Sequence, residues 1–450
     1  MTRILSVLVL LLVVSTSVLA SPISLGVEEA IGRAVNTNLR TRLSREKIRE
    51  AEAEVQAAYT AYNPRLTLKA QQFNRSVNLA SQGLSGSALP VPTRIGPFFT
   101  FSSNLEMVYR LYDRSRHWDV RSSEIQEALS ELKADSERRA VTVLTSATYI
   151  QLLEALEAAQ VSQTDRDVAR RLVEQAQNQE QAGTAAGVDV TRARTRLAER
   201  ELQLERDREK IRSTQRRLLR LTGLPLTGEL VLRDRLLHLP NPFPPVDEAV
   251  AQAKHHRVEV KVAEQEVALT ESRFEAAKAK DGPTLDFVAD AGLGGNSPFT
   301  NSTFVHNVGL NLTIPLYDGG LTREQSKAAE SRIEQAKMER DDVEIQVEND
   351  VRDAYSLLQT SERSLITAEQ SIRLASEELE MARDRFAAGL TNNVEVLAAE
   401  AAFTRANYSR LDALANYDLG LIRLAAASGQ PDLLLQAFRV ASQQKGTPSE

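Results

Sequence analysis

The sequence predicts a mainly α-helical chain with a smaller β part, built as two tandem copies of a helix, strand, strand, long helix, helix unit. Three observations predict it. Residues 347–386 carry the seam Val347, Val351, Ala354, Leu358, Ser361, Leu365, Ala368, Ile372, Ala375, Leu379, Ala382 and Phe386, in steps alternating four and three. A repeat of about 3.5 residues makes a helix supercoil so that one face stays turned toward its neighbours. Landmarks also recur: Val27-Glu28-Glu29-Ala30-Ile31 returns as Val246-Asp247-Glu248-Ala249-Val250, and Asn63-Pro64 as Gly282-Pro283, both about 219 residues later. Finally, each copy holds two stretches in which apolar and polar residues alternate, the period of a strand. With 5% aromatic and 26% charged residues, the composition is that of long helices rather than of an aromatic-rich core.

Taken in order, Met1-Thr2-Arg3, an apolar run and Val18-Leu19-Ala20 match a secretory leader over residues 1–20, with the mature chain starting at Ser21. A retained anchor is the other reading, but the run is shorter than the roughly 20 residues of a spanning helix. Ser21 stands where a lipid-modified cysteine would be needed. The first repeat is expected at 21–223. Its opening helix covers 27–62 until Pro64 breaks it, strands follow at about 64–73 and 98–112, and a Ser/Gly/Pro-rich loop at 74–97 joins them. A long helix at 114–181, a tip at 183–189 and a returning helix at 188–221 complete it. A proline-rich linker (224–245) leads to the second repeat at 246–429, with strands at about 283–293 and 304–317, a long helix at 321–388 and a tip at 389–395. The remainder, 430–450, is expected to join the linker in a belt around the middle of the helices. Each long helix would extend on the order of 100 Å at 1.5 Å per residue.

The strands match the roughly 9–11 residues with which a tilted strand crosses a bilayer. In the first pair Leu66, Leu68 and Ala70, then Phe99, Phe101, Leu105, Met107, Tyr109 and Leu111, share apolar faces; in the second, Leu285, Phe287, Ala289 and Ala291, then Val308, Leu310, Leu312, Ile314 and Leu316, do the same. Tyr109, Tyr112, Trp118 and Tyr317 fall where strand meets long helix, as an interfacial aromatic belt requires. Four strands cannot close a barrel around a polar lumen, so either they form a small soluble sheet or several chains pool them.

Leu25 to Ile31, Asn63-Pro64, Ile314-Pro315-Leu316-Tyr317-Asp318-Gly319-Gly320 and two tips carrying Gly183 and Gly389 together resemble the TolC-type outer-membrane efflux channels over nearly the whole mature chain. The resemblance implies a homotrimer whose twelve strands close one outer-membrane barrel, continued by an α-helical barrel through the periplasm. It implies a passive exit duct whose tips, at Gly183, Gly187, Asp189, Gly389 and Thr391, meet a periplasmic adaptor that couples it to an inner-membrane pump of RND, ABC or MFS type. It also implies that Glu395 lines the periplasmic constriction, where three copies would form a carboxylate ring; a carboxylate serving only the start of its helix is the other reading. Two features depart from the family: Ala398 replaces a second acid, and Thr391 stands where an arginine is expected, so fewer ionic links would hold the tip shut.

Other functions lack their residues. No cysteine is present, which excludes disulfides and thiol chemistry. The five histidines include one adjacent pair, His255-His256, which cannot share a helix face as metal ligands. No phosphate loop, nucleophile elbow or zinc motif occurs, so no enzyme, metal or cofactor is expected. The net charge of −6, with basic and acidic residues interspersed, does not fit a nucleic-acid partner. The competing function is a soluble periplasmic coiled-coil scaffold or adaptor, against which stand the paired strands of bilayer length.

Overall fold

The computed structural model describes residues 23–79, 81, 92–183, 186–388, 390–391 and 393–443. The expected leader, part of the 74–97 loop and Gly389 lie outside these residues. In order, the elements are β1 (Ile23–Leu25), α1 (Val27–Thr37), α2 (Leu39–Tyr59), β2 (Arg65–Asn78), β3 (Arg94–Asp113), α3 (Arg114–Gln181), α4 (Gly187–Leu221), β4 (Leu230–Leu232), α5 (Val246–His256), α6 (Val258–Ala279), β5 (Thr284–Gly295), β6 (Ser302–Thr313), α7 (Leu321–Ala387), α8 (Asn393–Ala427) and α9 (Asp432–Gln443). They fall into two compact units, one of Met1–Thr41, Arg138–Val250 and Asp350–Glu450, the other of Arg42–Glu137 and Ala251–Asn349. Among the described residues no helix is long and apolar enough to cross a membrane.

The first unit is mostly helical. Its α7 seam is buried as the heptads require, with only Ile372 and Phe386 half-buried. Near the end of α7, Leu379 and Ala382 pack with Val396 and Ala399 of α8, flanked by Phe386 and Phe403. A small parallel pair, β1 with β4, brings Ile23 to Leu230 and Leu25 to Leu232. Beside it the Asp234 carboxylate accepts the Val27 N–H (2.9 Å) and the hydroxyl of fully buried Tyr149 (2.6 Å), whose oxygen also lies 3.1 Å from the Leu25 carbonyl. α4 and α8 end alike. The N–H groups of Leu224 and Gln430 reach back to the Leu219 and Ala425 carbonyls, over Gly223 (φ +68°) and Gly429 (φ +71°). That six-to-one closure needs a left-handed residue at the turn, which glycine takes without a Cβ penalty.

The second unit holds a four-stranded antiparallel sheet in the order β2-β3-β5-β6. Its register puts the predicted apolar faces on one side: Leu66 faces Met107, Met107 faces Ala289 and Ala289 faces Val308, while Tyr109, Phe287 and Leu310 form the next row. On the opposite face Lys69 pairs with Glu106, Arg110 binds Asp286 (2.8 Å) and Asn307 binds Asp290 (3.2 Å).

Several boundaries need correction. The opening helix of each half is two helices, broken at Asn38 and at Arg257, which occupy the same place in the repeat. Both take extended backbone (ψ 137° and 127°) while their N–H groups still close the preceding helix. At Asn38 the break is held by its own side chain, which accepts the Arg40 N–H (2.9 Å) and donates to the Leu221 carbonyl (3.2 Å). β2 and β3 run on to Asn78 and back to Arg94, beyond the expected 64–73 and 98–112. β6 stops at Thr313 instead of reaching 317, since Pro315 has no N–H to offer a ladder. Within the expected 430–450 belt, Asp432–Gln443 is a helix whose buried Leu434, Ala437 and Ala441 share one face.

Candidate functional site

Two regions carry the residues singled out in the sequence. The first comprises the helix tips. α3 ends at Gln181 and Gly183 follows in the left-handed region (φ +72°), its N–H on the Glu180 carbonyl (2.9 Å). Gly187 opens α4 with Glu180 Oε1 so close that a Cβ would meet it at 2.8 Å. Asp189 stands in the first turn of α4, where the helix dipole favours an acid, and its carboxylate pairs with Arg192 (3.3 Å).

The second tip closes on itself. The Leu390 N–H returns to the Arg385 carbonyl (2.9 Å), Thr391 Oγ1 donates to Glu395 Oε2, and Glu395 Oε1 is ion-paired to Arg385 Nη1 (3.1 Å). Glu395, 39% exposed at its side chain, is thus engaged within its own hairpin. The sequence reading missed Arg385. The signal was present: Arg385 and Glu395 lie five residues either side of Leu390, and a turn centred there brings them together.

The second region is the apolar face of the sheet. Leu68 (71%) and Leu310 (66%) are exposed, as are Leu66, Val308 and Leu312, so this face is not the cover of a core within the described chain. The β2 and β6 edges are open. An uncovered apolar face with two long free edges is a pattern that proteins in water avoid. Of the expected belt, Tyr109 and Tyr112 stand at the strand ends, Tyr112 beside a bulge at Leu111 that aligns it with Leu285. Tyr317 (87% exposed) follows β6, while Trp118 is half-buried one turn into α3, its ring edge-on to His117.

A sequence model of the family described as "Outer membrane efflux protein" matches residues 31–224 and 249–430. This chain belongs to the outer membrane efflux protein family. The two matched stretches each contain one strand pair and one tip. Among curated relatives, the chain is similar to outer membrane protein TolC of Escherichia coli (strain K12), 21% identical over 420 residues that cover 87% of this chain and 82% of that one. It is also similar to alkaline protease secretion protein AprF of Pseudomonas aeruginosa, 24% identical over 366 residues, 78% of this chain and 75% of the relative. In fold it resembles the Campylobacter jejuni CmeC outer membrane channel, with a TM-score of 0.75 at 16% identity, covering 90% of this chain and 85% of that one. The family is one of channel proteins. Its setting, the outer membrane with an extension into the periplasm, is the one in which an exposed apolar sheet face has a solvent.

Proposed function

We propose that three copies of this chain pool their four-stranded sheets into a twelve-stranded outer-membrane barrel, and that the helices continue it as a periplasmic exit duct. The observation that carries the assembly is the sheet itself: β2 and β6 are free edges, and the face shared by Leu66, Met107, Ala289 and Val308 is apolar and open. Pairing β6 of one copy with β2 of the next removes both edges, and lipid covers the apolar face. The opposite face, with its Lys69–Glu106 and Arg110–Asp286 pairs, then lines a wet lumen. Tyr109, Tyr112 and Tyr317 sit at the periplasmic interface of this barrel, and Trp118 just below them.

The tips at Gly183, Gly187, Asp189, Gly389 and Thr391 meet a periplasmic adaptor, which links the duct to an inner-membrane pump of RND, ABC or MFS type. Glu395 lines the constriction there, its charge offset by Arg385. The duct is passive, and the pump supplies the energy. Cysteine pairs scanned along β2 and β6 test the assembly cleanly because the chain has no cysteine of its own. Covalent trimers on a non-reducing gel, together with discrete conductance steps in planar bilayers, are expected. A folded protein giving neither would overturn the reading in favour of a soluble sheet.

A further inference from the structure

Tyr109, Tyr112 and Tyr317 mark one border of the apolar sheet face, and the strand register locates the other. Phe99 stands ten residues from Tyr109 along β3. That is about 34 Å at 3.4 Å per residue, or about 25 Å of height at a tilt near 40°, the height of the band a barrel turns to lipid. Phe101 and, through Leu293 and Ser103, Phe304 lie in neighbouring rungs, and Phe99 and Phe304 are exposed. These rings form the second aromatic girdle. Phe101 faces Gln72 and Phe99 faces Asn74, so the outward face of β2, apolar at Leu66, Leu68 and Ala70, turns polar at this level and stays polar through Ser76 and Asn78. Just beyond the girdle Arg94 faces Asn78, and its Nη2 donates to Ser76 Oγ (3.1 Å).

This end of the sheet carries no negative charge. No acidic residue occurs between Glu54 and Glu106 or between Asp290 and Asp318, stretches that include the β2–β3 and β5–β6 connections. Arg94 is therefore exposed without a carboxylate in its own hairpin. A guanidinium offers phosphate a planar fork of donors, and Asn and Ser side chains supply further hydrogen bonds to phosphate or sugar oxygens. We propose that Arg94, with Asn74, Ser76 and Asn78, binds a phosphate group of the glycolipid in the outer leaflet, one site per copy on the outside of the barrel. Arg75 is not part of this site. It faces Phe98, on the sheet face of Arg65 and Lys69, and its guanidinium lies over the Phe98 ring (5.8 Å to the centroid). The proposal rests on reading the sheet as part of an outer-membrane barrel.

In the test, the mature full-length protein in a neutral detergent is titrated with bis-phosphorylated lipid A, and bound lipid is counted by native mass spectrometry. Folding of each variant is checked by conductance in planar bilayers. Arg94→Gln should bind lipid A about tenfold more weakly than the parent, as expected for the loss of a charge-assisted contact. Arg75→Gln, which removes the same charge from the other face, should bind like the parent. Lipid A stripped of its phosphates should not distinguish the parent from Arg94→Gln, and excess inorganic phosphate should not displace the bound lipid. Equal affinity of the parent and Arg94→Gln, an equal loss in Arg75→Gln, or displacement by inorganic phosphate would overturn the lipid site while the duct stands. If the folded parent forms no conducting pores, the barrel reading fails and the lipid site with it.

Discussion

Replacing Tyr149 by phenylalanine should loosen the segment from Ile23 to Val27 without disturbing the helix that carries Tyr149. The hydroxyl donates to the Asp234 carboxylate at 2.6 Å, and the same carboxylate holds the Val27 N–H at 2.9 Å, so one side chain fastens α3, the loop after β4 and the first residue of α1. Burial, and after it the hydrogen bond to the Asp234 carboxylate, push the phenol above its ordinary pKa, so it remains a donor at any physiological pH. Neither acceptor is orphaned by the substitution: Asp234 keeps Val27, and the Leu25 carbonyl keeps the Arg233 N–H (3.1 Å). The loss is therefore that of one hydrogen bond to a charged acceptor, about 2 kcal/mol. Amide hydrogen exchange at Ile23 and Val27, whose N–H groups bond Glu229 and Asp234, should speed up about 30-fold. Exchange within α4 should be unchanged. A change of less than threefold would mean that the β1–β4 pairing holds this segment without Tyr149, and the reasoning would be wrong.

Further perturbations separate the remaining claims. Asp418 is fully buried, with one hydrogen bond, from the Leu239 N–H (3.2 Å), and desolvation raises its pKa well above the ordinary carboxylate value. An acid raised in the folded state makes folding less stable as pH climbs from its unfolded pKa toward its folded one, by about 1.4 kcal/mol per pH unit. Asp418→Asn should accordingly raise the thermal midpoint at pH 7 and lose that advantage near pH 4; equal gains at both pH values would contradict it. Gly223→Ala would force a left-handed alanine whose Cβ lies 2.6 Å from Thr37 Oγ1, and should cost roughly 2 kcal/mol in denaturant titrations. Arg385→Gln should strengthen cation selectivity in bilayer recordings by exposing Glu395, and Glu395→Gln should weaken it; if neither moves the reversal potential, Glu395 does not line the constriction.

How far the sequence could be read follows from the range of the forces involved. The long helices, strand faces and duplication were legible because period and repeat are local signals, and α3 lies at the residues its pattern predicts. The breaks at Asn38 and Arg257 were not, for neither residue is a glycine or proline, and Asn38 is held by a carbonyl at Leu221 far along the chain. The same distance hid the contact between Tyr149 and Asp234, since nothing in the spacing of residues on separate elements announces that they meet. At the tip, Glu395 stood out as an acid after a turn, whereas Arg385 was one of many arginines on a charged helix until the turn placed it.

The open edges of β2 and β6 have a genetic consequence. If no copy can complete its sheet alone, a lesion on one edge is inherited by the whole ring. In a cell making intact and edge-damaged subunits in equal amounts, only roughly one ring in eight of the proposed three-copy assembly would contain no damaged member. Edge lesions should therefore be dominant, poisoning the product of an intact gene, while a lesion that prevents the chain from being made should be recessive.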